Sequence, residues 1–190
     1  NNFTEISKIK IGYSLIGANE IYEKEINLLN NFNSVNKIKK NNIKDLSQFS
    51  FLEINYNKKI ITIKDGDHII NTAIIIPPNY IVKINPGTKI LLKDNGKIIS
   101  YSPINFAGSE NNNIQFFSDT NSQGLSIINA KGISNINYVK FSNLSNIEHA
   151  GIINTGSVNF YNSDVNIQNT IIENSNAEDS INIIHSKFNI

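Results

Sequence analysis

The chain has 190 residues, 39% of them hydrophobic and 17% charged, with a net charge of +1. That apolar content supports a real core, and the near-zero charge supplies no long-range field to hold nucleic acid or an anionic membrane. Cys is absent, which excludes disulfides and thiolate metal sites. All 17 basic residues are Lys, so the Arg fork for carboxylates and phosphates is missing.

Asn and Ile each make up about one residue in five, far above ordinary usage. The codon bias of an AT-rich genome accounts for the amounts but not for where the Asn residues fall. No apolar run approaches the ~18 residues that span a bilayer. The run AIIIPP at residues 73–78 is cut short by its prolines, so membrane insertion is not expected. The chain lacks Met altogether and is expected to be processed or part of a longer one.

In chain order, the alternating run Ile9-Lys10-Ile11-Gly12-Tyr13-Ser14-Leu15 predicts a strand. Asn19 then offers an N-cap, Glu20 and Glu23 suit the positive end of a helix dipole, and Tyr22, Ile26 and Leu29 recur at helical spacing. A second helical piece is expected through Val35, Ile38 and Leu46. Residues 1–50 therefore read as a strand and helical capping region.

From Phe51 the pattern changes. Short β-branched or aromatic blocks (KKIITI, YIVKI, KILLK, KIISY, IQFF, LSII, VNFY, INII) alternate with Gly, Pro, Asn, Asp and Ser. Two of these blocks repeat. VNFYNSDVNI at residues 158–167 aligns without a gap on INIIHSKFNI at 181–190, an offset of 23 residues. Val158 meets Ile181, Asn159 meets Asn182, Ser163 meets Ser186 and Asn166 meets Asn189. A fixed period of this size marks a repeat architecture, and a parallel β-helix stacks like residues directly, ~4.8 Å apart. One coil earlier, Ile136 aligns with Ile167, Phe141 with Ile172 and Asn143 with Asn174, now at an offset of 31. Residues 147–155 (IEHAGIINT) supply the excess as an inserted loop, and insertions in solenoids gather on a face that often binds. Asn159/Asn182 and Asn166/Asn189 are candidate amide ladders, since each side chain both donates and accepts. The fold class expected is an all-β solenoid, a right-handed parallel β-helix over residues 51–190 with a short N-terminal helical cap region. Because the sequence stops inside a strand, further coils or a cap are expected beyond it.

The segment IIIPPNYIVKINPGTKILLKDNGKIISYSPINFAGSENNNIQFFS, residues 74–118, resembles coils of bacterial right-handed β-helix proteins of the pectate-lyase-like superfamily. TGSVNFYNS (155–163) and AEDSINIIHSKF (177–188) are similar to internal coils of the same group. The resemblance covers about residues 60–190 and implies a bacterial surface or secreted protein, extracellular, with polysaccharide as its partner. Independently, Pro77-Pro78 and Pro86-Gly87 mark coil corners, because proline cannot donate to a ladder and Gly accepts a positive φ.

Catalysis on this architecture calls for a basic residue over a Ca²⁺-binding acidic cluster, or for clustered Asp residues. Here the acids Glu110, Asp119, Glu148, Asp164, Glu173, Glu178 and Asp179 are scattered and Arg is missing, so no catalytic residue, metal ligand or cofactor is expected. The residues nearest to a ligand face are Glu178, Asp179, His185 and Asp164. Glu178-Asp179 is one edge of a cation or sugar site, or a solvated corner, and the corner carries more weight. His185 stacks over Asn162 and points outward, and Lys187 over Asp164 forms an exposed pair worth about 0–1 kcal/mol. His68 and His149 lack the spacing of a transition-metal site. Of each neighbouring aromatic pair, Phe116-Phe117 and Phe160-Tyr161, one ring must face outward. Two functions compete: a non-catalytic surface module that spaces domains or binds polysaccharide, and a fragment of a polysaccharide lyase or glycoside hydrolase whose catalytic coils lie beyond residue 190.

Overall fold

A computed structural model describes residues 8–14, 17, 20–27, 43–119, 122–149 and 152–190. The chain forms two compact units, residues 1–40 and 41–190. In the first, β1 (Lys8–Tyr13) pairs antiparallel with β2 (Tyr22–Asn27). The helix expected from Asn19 onward is therefore a strand through Tyr22 and Ile26. Local helical signals lose to a complementary cross-strand partner: Lys10 faces Glu25, and the Tyr13 and Tyr22 rings stack at 5.7 Å. Leu29, Val35 and Ile38 lie outside the described residues.

The second unit is a parallel β-solenoid of about five turns, each contributing one strand to three sheets. Sheet I contains β4 (Ile60–Ile63), β7 (Ile81–Ile84), β10 (Ile104–Ala107), β13 (Ser134–Asn137), β18 (Val165–Gln168) and β21 (Phe188–Asn189). Sheet II contains β5 (Asp67–Ile70), β8 (Lys89–Leu92), β11 (Ile114–Ser118), β14 (Val139–Ser142) and β19 (Ile171–Glu173). Sheet III contains β6 (Ala73–Ile76), β9 (Lys97–Ser100), β12 (Leu125–Ile128), β17 (Gly156–Tyr161) and β20 (Asp179–Ile184). Val158 pairs with Ile181, Ile136 with Ile167 and Phe141 with Ile172, as the repeat in the sequence requires.

The period of two within each strand sends alternate residues into a single core. In sheet I, Ile63, Ile84, Phe106, Ile136 and Ile167 form one buried column, each in register with the next. Phe106, Phe116 and Phe141 stack in the interior with centroids 5.5 and 5.1 Å apart. Phe117 and Tyr161 take the outward positions, half-buried and exposed, while Phe116 and Phe160 are buried. The first coil is covered by β3 (Leu52–Asn55), antiparallel to β4, and by a 3-10 helix, Ile43–Gln48. Leu46 from that helix is 2% exposed in the core, so this segment belongs with the coils and not with the N-terminal unit.

Corners explain where much of the Asn falls. Six of the ten described non-Gly residues with positive φ are Asn, the side chain that best tolerates that region. Asn129, Asn162 and His185 leave sheet III in three successive turns; Asn143 and Asn174 leave sheet II. Buried Ser hydroxyls serve the same corners. Ser102 Oγ accepts the Tyr80 N–H at 3.0 Å, Ser163 Oγ that of Ala130 at 3.0 Å, and Ser186 Oγ that of Ser163 at 2.8 Å.

Candidate functional site

The outward positions of sheet I form a second register column. Thr62, Lys83, Asn105, Asn135, Asn166 and Asn189 follow one another coil by coil, so four successive turns present a side-chain amide. Beside it run Asn137 and Gln168. Asn166 Nδ2 donates to Asn135 Oδ1 at 3.1 Å, and Asn169 Nδ2 to Asn137 Oδ1 at 2.9 Å. At the sheet III corner Asn162 Nδ2 donates to Asn129 Oδ1 at 2.9 Å.

Amide ladders therefore exist, although not at the first expected pair. Asn159 turns back to its own strand, bonding the Gly156 N–H at 3.1 Å and the Gly156 carbonyl at 2.7 Å. Asn182 instead donates to Thr155 Oγ1 at 2.9 Å. A close local backbone partner outcompetes the neighbour one coil away. Asn166 and Asn189 are in register as expected, and the bond that Asn166 makes runs to Asn135 in the preceding coil.

The amide face runs into a cleft of about 400 Å³ at the corner between sheets I and II. Its lining includes Glu110, Asn113, Tyr138, Lys140, Asn169 and Thr170. Gln115 Nε2 donates to Asn113 Oδ1 at 3.0 Å, and Lys140 Nζ is neutralised by Glu173 Oε1 at 2.8 Å. Tyr138 occupies the corner that Asn169 takes in the next turn, yet holds a φ of 50°. An aromatic residue in that region carries about 1–2 kcal/mol of strain, and such outliers gather at ligand-binding positions. Sequence alignment placed Tyr138 between blocks, and its displacement of an Asn from a corner was the signal available for it.

The residues singled out from sequence do not converge. Asp179 begins β20 and accepts from Thr155 Oγ1 at 3.1 Å, with Glu178 exposed beside it. His185 follows the other end of that strand, about 20 Å away at the usual rise. It is exposed, with φ 51° and its ring edge-on to Tyr161 at 6.1 Å, in the place of Asn162 one turn below. Asp164 lies in the His185 corner, where Oδ1 accepts the Lys187 backbone N–H at 2.8 Å. None of the four lines the cleft. Among the described residues, no group of three or more His, Cys, Asp or Glu converges as a metal site would require, and no helix is long and apolar enough to cross a membrane.

The inserted segment is a hairpin, β15 (Ile147–His149) antiparallel to β16 (Ile152–Asn154), and not an open loop. It covers the outer side of sheet III, where β9 and β12 are buried on both faces. Asn154 Nδ2 donates to Ser126 Oγ at 3.0 Å, and Lys97 Nζ donates to Gln123 Oε1 at 2.9 Å and to the Glu148 carbonyl at 2.5 Å. Burial lowers the Lys97 pKa, opposed by the charge of Glu148. His149 is also pushed down, chiefly by burial and then by the Lys97 charge. Its inner groups are spent on holding sheet III, which leaves the amide face and its cleft as the open polar surface.

The fold thus defines a parallel β-solenoid protein with an amide-lined face. Compared with known proteins, the chain matches no family model, no curated protein and no solved structure.

Proposed function

We propose that this chain is a non-catalytic β-solenoid module of a bacterial surface or secreted protein, of the pectate-lyase-like kind, that binds polysaccharide along sheet I and the adjoining cleft. One observation supports it above the others: an amide column four coils long runs beside a polar cleft containing a strained tyrosine. Amides that bond one another along a ladder still have a free N–H and lone pair for hydroxyl groups, and an aromatic ring offers its face to a sugar. Scattered carboxylates, each without a paired acid or base partner in the cleft, favour binding over bond cleavage.

Tyr138→Asn tests this. Asn already holds the equivalent corner at position 169 with φ 45°, so the variant keeps the backbone while removing the ring. On a glycan array the native chain is expected to bind at least one polysaccharide, and the variant about tenfold more weakly, the worth of one ring contact of roughly 1.4 kcal/mol. Absence of binding to every glycan would overturn the proposal and leave only a spacer role.

A further inference from the structure

Building on that reading, we infer that the ligand of sheet I is an uncharged, extended polysaccharide lying parallel to the solenoid axis, one sugar unit to each coil. The direction comes from the register. Asn105, Asn135, Asn166 and Asn189 are stacked across the coils and not along any one strand, so equivalent hydrogen-bonding groups recur only along the axis. Their repeat is the spacing of adjacent parallel strands, ~4.8 Å. That is close to the advance of one unit in an extended β-linked hexose chain. Within a strand, by contrast, outward positions recur every second residue and then end at a corner.

The ligand class comes from the charges. The four ladder positions and their neighbours Asn137 and Gln168 are all uncharged amides. A uronate chain would bring a carboxylate to every coil, and a carboxylate is held well only by a charged donor. Lys140, the ammonium at the cleft, is bound to Glu173, and Glu110 adds negative charge there. Amides instead match hydroxyl groups, donor against acceptor, without a desolvated charge on either side. The column also has a defined lower end. Below Asn105 it turns to Lys83 and Thr62, so the amide run is four coils long.

The experiment is calorimetric titration of the protein with β-1,4-linked glucose oligosaccharides from disaccharide to hexasaccharide, and in parallel with oligogalacturonates of the same lengths. Affinity for the neutral series should rise roughly threefold to tenfold per added unit, the worth of one further hydrogen bond or so, and level off at the tetrasaccharide. Asn135→Asp, at an exposed position in the middle of the ladder, should lower neutral binding and flatten the length dependence while leaving the circular dichroism unchanged. Tighter binding of the galacturonates would overturn the ligand class, with polysaccharide binding itself intact. Neutral binding that ignores length would overturn the axial placement. Binding of neither series, with binding to some other glycan on the array, would also refute this inference and spare the broader proposal. Silence on the array as well removes both.

Discussion

Ser163→Ala should destabilise the solenoid by about 2 kcal/mol, through a single orphaned backbone group. Ser163 is 1% exposed at the corner where sheet III passes to sheet I. Its Oγ accepts the Ala130 N–H from the coil below at 3.0 Å and donates to the Tyr161 carbonyl at 2.9 Å. Removing the hydroxyl leaves the Tyr161 carbonyl with the Asn129 N–H at 2.9 Å, so that group keeps a partner. The Ala130 N–H does not, and Ala130 is only 8% exposed. An orphaned buried donor costs about 1–3 kcal/mol, and the lost oxygen volume adds little. Ser186→Ala removes the equivalent acceptor from Ser163 N–H at the more open next corner, and should cost about 1 kcal/mol or less because water can replace it. Urea unfolding followed by far-ultraviolet circular dichroism measures both. A loss below about 0.5 kcal/mol for Ser163→Ala, or equal losses for the two variants, would refute the reasoning that corner hydroxyls hold the coils together.

Two further outcomes follow from the packing. Gly124→Ala would bring a Cβ to 1.9 Å from the Ser157 carbonyl oxygen, backbone against backbone, so its cost should reach the upper end of the about 1–3 kcal/mol typical of overpacking; a native melting temperature would contradict this. Because burial holds the His149 pKa below its ordinary 6.5, the folded form resists taking up a proton. The associated stability is present above that value and is lost as the pH falls through the depressed pKa. Lys97, also lowered, disfavours charge in the same direction, with Glu148 opposing. Amide exchange in β15 and β16, corrected for intrinsic rates, should therefore accelerate relative to β9 and β12 on acidification, and His149→Gln should remove that dependence. Exchange that stays flat in the native chain would count against the buried imidazole.

The repeat between residues 158–167 and 181–190 was enough to place Val158 beside Ile181 and Asn166 beside Asn189, because stacking in register leaves a direct imprint in sequence. Ser163 over Ser186 was legible for the same reason, although its buried role was not. The helix expected through Tyr22 and Ile26 failed because helical spacing over so few residues is weak, and β1 supplied a partner from outside the window. Lys97 shows the limit most clearly. It begins an ordinary strand block, yet its ammonium is enclosed by Gln123 and by the Glu148 carbonyl 51 residues further on.

Composition, the short punctuated blocks and the 23-residue period were sufficient to specify a parallel solenoid, since the pleat and the coil rise act locally and repeat. Which Asn bonds which neighbour, where Tyr138 replaces an Asn and opens a cleft, and how the inserted hairpin closes sheet III were settled only in three dimensions. Those outcomes depend on competition between partners distant in sequence, where a backbone group close at hand, as Gly156 is for Asn159, can win over an identical residue one coil away.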